Sequence, residues 1–380
     1  MNDREALLAG ILANPDDDLP RLVFADHLDE HGDADDAVQA EFIRGQIEMA
    51  TLYPYTRRWM KLSHLTKAIL QKREAEWSDT GRMKVINRVF VRGFLHGVTV
   101  YAKGFVKDGA DLFQHQPIRS IKFVKLSSMR GSVPMNELAW CPHLAKANKL
   151  DFTDSELKPL DFRTLGESPH AKQLCSLVMG GYNPFASGIN VSTLLSLPAL
   201  TELSLVHNRG FARADLAILG RDFAAARLHI LDLDGSRAAD RGLHGLLRSP
   251  HLTQLETLRI GGDGDNAHPE DPRFGEAPLP TVAELETALR ETAMPNLRSL
   301  SLAKRNLKWT DAKLLAKAEH WPKLEYLNLS NNNLGIRGIE ELAAAPFATT
   351  LKVLDLRYNN LDPEHFERIR DRMPQCELIG

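Results

Sequence analysis

The chain has 380 residues, of which 43% are hydrophobic and 26% charged, and a formal net charge of −3. That balance belongs to a folded soluble protein and excludes bulk disorder. Its three cysteines, Cys141, Cys175 and Cys376, are odd in number and far apart, which excludes a disulfide scaffold and predicts a reducing, cytoplasmic setting. No apolar stretch approaches the length needed to cross a bilayer, and the first residues lack a secretory pattern.

The first fifty residues predict three helices: an amphipathic one opening at Asp3, a second starting at Pro20 after an acidic turn, and a third from about Asp36. The run Asn14-Pro15-Asp16-Asp17-Asp18, then 21–33 (RLVFADHLDEHGD) and 40–48 (AEFIRGQIE), resembles the bacterial repeat-companion domain of planctomycetes and myxobacteria. That domain precedes repeat arrays, and the resemblance implies no known chemistry. Asp26, Glu41 and Arg44 are expected to form a polar network between helices. Arg92-Gly93-Phe94 fits the family's usual lead into an array.

Charge is unevenly placed. Residues 1–50 hold 3 basic and 13 acidic side chains, 51–150 hold 18 and 6, and the remainder 26 and 31. The basic stretch from Arg57 to Arg92 interleaves Tyr53, Tyr55, Trp59 and Trp77 among its charges. At helical spacing Trp59, Leu62, Leu65, Ile69 and Leu70 form an apolar stripe, so the aromatics read as core and the basic residues as a solvated face. Docking of the acidic cap onto this basic helix is favoured over an anionic protein partner, and that over nucleic acid.

From residue 89 onward a unit recurs, clearest as Leu324-Glu325-Tyr326-Leu327-Asn328-Leu329-Ser330-Asn331-Asn332-Asn333-Leu334. Its central leucine has counterparts at Val98, Ile121, Leu150, Leu177, Leu203, Leu231, Leu258, Leu300 and Leu354, ten copies in all, most about 27 residues apart. Alternation puts Leu354 and Leu356 inward on a short strand and Val353, Asp355 and Arg357 outward. Asn208, Asn332 and Asn359 stand where the chain must turn, and an amide there can satisfy backbone groups that strand pairing leaves free. Arg305 holds that place in another unit and is not expected to substitute for it.

Helical stretches follow the turns, as at 311–318 and 337–345, and several end at a proline such as Pro322 or Pro346. This pattern resembles the ribonuclease-inhibitor-like class of leucine-rich repeats. The resemblance implies an α/β solenoid, a horseshoe with a parallel concave sheet and outer helices, whose concave face or edge binds a protein. The expected organisation is a helical domain at 1–50, a basic helical connector at 51–88, and the array at 89–380.

One spacing, from Leu258 to Leu300, is 42 residues, and the insertion near 261–280 is a candidate contact loop through Asp263, Asp265, Arg273 and Phe274. On the outward strand positions and adjacent turns, His207, Asp232, Asp234, Arg259, Tyr326, Asn328, Asp355, Arg357 and Tyr358 are the candidate binding residues. Their mixture of charge with tyrosine and arginine suits a protein interface. No metalloprotease, nucleophile-elbow, phosphate-loop or paired-cysteine motif is present, so no catalytic residue, metal or cofactor is expected.

The leading expectation is a monomeric, non-catalytic scaffold for an unidentified protein partner. One alternative is a regulator or effector whose repeats recruit a target. The other is binding of an anionic partner or nucleic acid through 57–92.

Overall fold

The computed structural model describes residues 3–124, 126, 134–153, 155, 157–180, 197–207, 219, 225, 227–236, 246, 249–262, 294–318 and 321–380. The chain packs as two compact units, Met1–Phe152 with Ser168–Gln173, and Thr153–Glu167 with Leu174–Gly380.

The first unit opens with helices α1 (Asp3–Ala13), α2 (Leu19–His31), α3 (Ala34–Ala50) and α4 (Arg57–Trp77). Helix α3 starts at a capping box, in which Asp33 accepts from the Asp35 and Asp36 amides and Asp36 accepts from Asp33. Ile11, Phe24, Ala25, Leu28, Ala40, Ile43 and Phe94 form one buried cluster. Arg44 Nη2 donates to Asp26 at 2.7 Å and Nη1 to Asp29 at 2.5 Å. Glu41, expected in that network, is exposed.

The stretch expected to be helical through residue 88 is helical only to Trp77. Strand β1 (Val85–Val91) follows and pairs antiparallel with β2 (Phe94–Tyr101) through the two-residue turn Arg92-Gly93. Both turn residues have positive φ, 55° and 86°, as a twisted hairpin of this length requires. Helix α3 grips this turn. Gln46 accepts from the Gly93 amide at 2.8 Å and donates to the Phe90 carbonyl at 3.3 Å, and a Cβ on Gly93 would lie 2.4 Å from Ile43 Cγ1.

Ion pairs join the acidic helices to the basic segment after them. Arg58 forks onto Glu48 with both bonds at 2.5 Å, Arg73 reaches Asp35, Arg92 lies 3.3 Å from Asp18, and Arg119 lies 3.0 Å from Asp16. The expected docking of acidic cap onto basic segment is thus made by specific pairs. Strands β3 (Ser120–Val124) and β4 (Lys149–Asp151) continue in parallel from β2.

In the second unit β5 (Ser176–Val178), β6 (Glu202–Ser204), β7 (Ile230–Asp232), β8 (Thr257–Arg259), β9 (Ser299–Ser301), β10 (Tyr326–Asn328), β11 (Val353–Asp355) and β12 (Glu377–Ile379) pair in sequence order, all parallel. The repeat leucines meet one another in register: Leu177 with Leu203, then Leu231, Leu258, Leu300, Leu327 and Leu354. Each is at most 1% exposed, and full burial of such a side chain stabilises by about 1.5–3 kcal/mol. Leu354 pairs onward with Leu378, so β12 adds a strand beyond the ten copies read from the sequence. Leu258 pairs directly with Leu300, so the 42-residue spacing is absorbed without a break in register.

Helices follow the strands, among them Trp309–Leu315 and Gly335–Ala343. The second buries Gly338, Ile339 and Leu342 at helical spacing. Among the described residues no helix is long and apolar enough to cross a membrane.

Candidate binding face of the repeat array

Parallel register lines up the outward positions of the second unit in rows. The first row runs Glu202, Ile230, Thr257, Ser299, Tyr326, Val353, and the second runs Ser204, Asp232, Arg259, Ser301, Asn328, Asp355. Neighbouring strands lie only about 4.8 Å apart, so flanking side chains cover much of each residue. Tyr326, between Ser299 and Val353, is only 8% exposed, and Asp355 is fully buried. Arg259 is exposed and Asn328 half-buried.

The second row has a local task. Asp232, Asn328 and Asp355 each accept, through Oδ1, from the amide two residues ahead, on Asp234 (3.1 Å), Ser330 (2.9 Å) and Arg357 (3.2 Å). These side-chain bonds shape the bend that ends each strand. Asp355 also receives Arg357 Nε at 2.9 Å and Nη2 at 2.6 Å, which fixes that guanidinium beside the turn. Asp232 accepts from Arg259 at 3.1 Å.

Four residues past five of the repeat leucines the backbone turns left-handed, at His207 (φ 54°), Gly235 (65°), Lys304 (57°), Asn331 (57°) and Tyr358 (58°). The amides of His207, Gly235, Gly262, Lys304 and Asn331 each bond to a carbonyl of the next unit, as in His207 to Asp234 at 2.8 Å and Lys304 to Ser330 at 3.0 Å. Successive turns therefore stack closely. A Cβ on Gly235 would fall 2.2 Å from His207 Nδ1, so the imidazole of one unit rests on the glycine of the next. Tyr358 projects from this ladder at 76% exposure.

One position further, Asn332 and Asn359 are buried. Asn332 accepts from Arg305 N (2.9 Å) and Leu307 N (3.0 Å) and donates to Leu302 O (3.0 Å) and Leu329 O (2.8 Å). Asn359 donates to Leu329 O and Leu356 O and accepts from Leu334 N. Arg305 does what residue type argued against: its Nε donates to Ile260 O at 2.5 Å, the carbonyl equivalent to those that Asn332 and Asn359 bond in the preceding unit. Asn208, Asp263, Asp265, Arg273 and Phe274 lie outside the described residues.

Asp234 stands apart electrostatically. Burial, with Asp232 alongside, pushes its carboxyl up to about 6, while the Gly261 amide, donating at 2.5 Å, and the charges of Arg259 and Arg305 pull the other way. The face thus brings together Asp232, Asp234, Arg259 and Arg305 near the start of the insertion. Arg305 and the left-handed ladder were missed from sequence, although the recurrence of His, Gly, Lys, Asn and Tyr four residues after each leucine was there to be read.

No group of three or more His, Cys, Asp or Glu that could hold a metal occurs among the described residues. Burial raises the Cys141 thiol, and burial with Glu377 nearby raises that of Cys376 to about 12, the opposite of what a nucleophilic thiolate needs.

A family model described as Leucine Rich repeat matches residues 321–343 and 347–364. With the strand register above, the chain carries leucine-rich repeats and its fold is that of an α/β leucine-rich repeat solenoid. No curated protein matches it. Among solved structures it is similar to the yeast Rad7 and Elc1 complex at 14% identity, covering 91% of this chain and 87% of that one, with a TM-score of 0.47. A leucine-rich repeat protein of Leptospira interrogans matches at 14% identity over 70% and 90% of the chains, TM-score 0.19. The mouse RP105/MD-1 complex matches at 16% over 73% and 56%, TM-score 0.28. At such identities and scores none of these bears on what this chain binds.

Proposed function

We propose that this protein is a non-catalytic scaffold that holds a protein partner on the strand face and turn ladder of its second unit. The observation that carries the reading is Tyr358. A left-handed backbone position is cheap for glycine or asparagine, the residues at the equivalent Gly235 and Asn331, and costs a bulky residue about 1 kcal/mol or more. Here it presents a tyrosine that is 76% exposed, beside an arginine fixed by a buried carboxylate. Tyrosine and arginine held in place before binding are the usual anchors of protein interfaces. Arg259, exposed on the same unit's face, and the insertion after Gly262 complete the proposed surface.

The N-terminal helices act in this reading as a repeat-companion cap for the array, and the protein works as a cytoplasmic monomer. Three free cysteines, two of them buried, support a reducing compartment.

Quantitative affinity capture tests the proposal, with an Arg259→Ala/Arg357→Ala/Tyr358→Ala variant compared against Arg337→Ala/Glu367→Ala on the helices. The face variant should lose a specific protein by at least about tenfold, as removal of anchor side chains does, while the helix variant retains it. Equal recovery from both variants would remove the face from the account.

A further inference from the structure

Helix α2 carries two histidines one turn apart at its C-terminal end, His27 and His31. Phe24, Ala25 and Leu28 anchor the helix in the first unit's buried cluster, and the four-residue spacing sets both imidazoles on one side of it. His27 is half-buried and His31 exposed. Their ring centroids lie 4.9 Å apart, with the planes tilted by 59°. Among the described residues neither ring makes a hydrogen bond, and the ionic neighbour is Glu30, whose Oε2 lies 3.8 Å from His31 Nε2.

Ordinary helix electrostatics accounts for one of these rings and not for the pair. A protonated imidazole in the last turn is favoured by the helix dipole, which suits His31. A second imidazolium packed 4.9 Å away would repel it. Of the nearby carboxylates, Asp26 and Asp29 are taken by Arg44 at 2.7 and 2.5 Å, which leaves Glu30 at the exposed end. The rings stand instead at the separation of two ligands on one ion. With a metal–nitrogen bond of about 2.1 Å, tetrahedral angles and about 1.1 Å from nitrogen to ring centre, two imidazoles sharing an ion have centroids about 5 Å apart.

We propose that His27 and His31 chelate a divalent transition-metal ion of the class imidazole prefers, zinc, nickel or copper, through one nitrogen of each ring. No third His, Cys, Asp or Glu of the described residues joins the pair. The remaining coordination positions are therefore filled by water or by a ligand from outside the chain. Glu30, beside His31, supplies negative charge in the outer shell. The acidic excess of the first fifty residues adds a field that draws cations to this end of the chain. The site belongs to the first unit and is independent of the face proposed on the second.

Isothermal titration calorimetry of the full chain tests it, with zinc chloride, nickel chloride and magnesium chloride as probes in a buffer that does not bind metal. Wild type should bind zinc and nickel and not magnesium, which demands oxygen ligands. His27→Ala and His31→Ala should each weaken zinc by at least about tenfold, because a second imidazole on the same helix binds intramolecularly. His27→Ala/His31→Ala together should lose about one zinc ion per chain. His64→Ala/His115→Ala, at exposed histidines of other helices, should stay within about twofold of wild type. Far-UV circular dichroism unchanged in every variant separates a lost ligand from a lost fold. Zinc affinity unchanged in the double α2 variant, an equal loss in the control, magnesium bound as tightly as zinc, or no zinc bound by wild type would each overturn the proposal.

Discussion

Asn332→Ala removes several hydrogen bonds at once. In the native turn the amide accepts from Arg305 N and Leu307 N and donates to Leu302 O and Leu329 O, joining two consecutive units. Alanine leaves those backbone groups without a partner, and each unsatisfied buried group costs about 1–3 kcal/mol. Water reaching the half-buried Arg305 amide offsets part of this, so a net loss of about 3–5 kcal/mol is expected. Because repeat arrays can lose cooperativity when one interface weakens, urea unfolding should be paired with hydrogen exchange at the Leu307 amide, whose protection should fall. Asn331→Ala, one residue away and exposed, serves as the control and should cost no more than about 1 kcal/mol. A loss below about 1 kcal/mol in Asn332→Ala, with Leu307 still protected, would refute the reasoning that this asparagine couples the units.

Gly93→Ala combines a left-handed φ of 86° with a Cβ set 2.4 Å from Ile43 Cγ1 and 2.7 Å from its Cα, so α3 must move off the hairpin. A loss of at least about 3 kcal/mol in the first unit is expected by chemical denaturation, and near-wild-type stability would contradict the packing described. For Asp234 the folded carboxyl titrates near 6, above its ordinary 3.8. The folded state therefore binds the proton more tightly, and this contribution to stability is complete below about pH 4 and lost as pH rises through about 6. Asp234→Asn should accordingly be more stable than wild type at pH 7.5, by up to about 3 kcal/mol, with the difference shrinking toward zero near pH 4. An advantage independent of pH would show that the carboxyl is not strained. Thiol labelling of the native protein should be slow at Cys141 and Cys376, and rapid reaction at Cys141 would reopen the effector reading.

The strands were legible because one leucine every 27 or so residues leaves a single way to stack the units, and register pairs those leucines directly. The edges were less so. In β1 the pattern Val-Ile-Asn-Arg-Val-Phe-Val does not alternate cleanly, since irregularities lie at 85–87 and 89–90 and turn Ile86 and Val89 to solvent. β12 lacks the repeat spelling and is set by pairing with β11. On the candidate face, register sets Tyr326 and Asp355 in rows with their counterparts in neighbouring units, and those neighbours decide how far such a residue is reachable, both being buried. Arg305 was misjudged because the turn needs an N–H donor at one place, which a guanidinium can supply as well as an amide. Nothing in the spelling separated the two arginines of α4 that pair with α3 from the lysines that do not.

The most direct test of the scaffold reading is hydrogen exchange on the complex with whichever protein the wild type retains and the face variant loses. Binding should slow exchange at the turn ladder and strand face, in peptides containing Arg259 to Gly262, Lys304, Asn331 and Tyr358, with the helices Trp309–Leu315 and Gly335–Ala343 unchanged. Protection confined to those helices, with the ladder unaffected, would contradict the account.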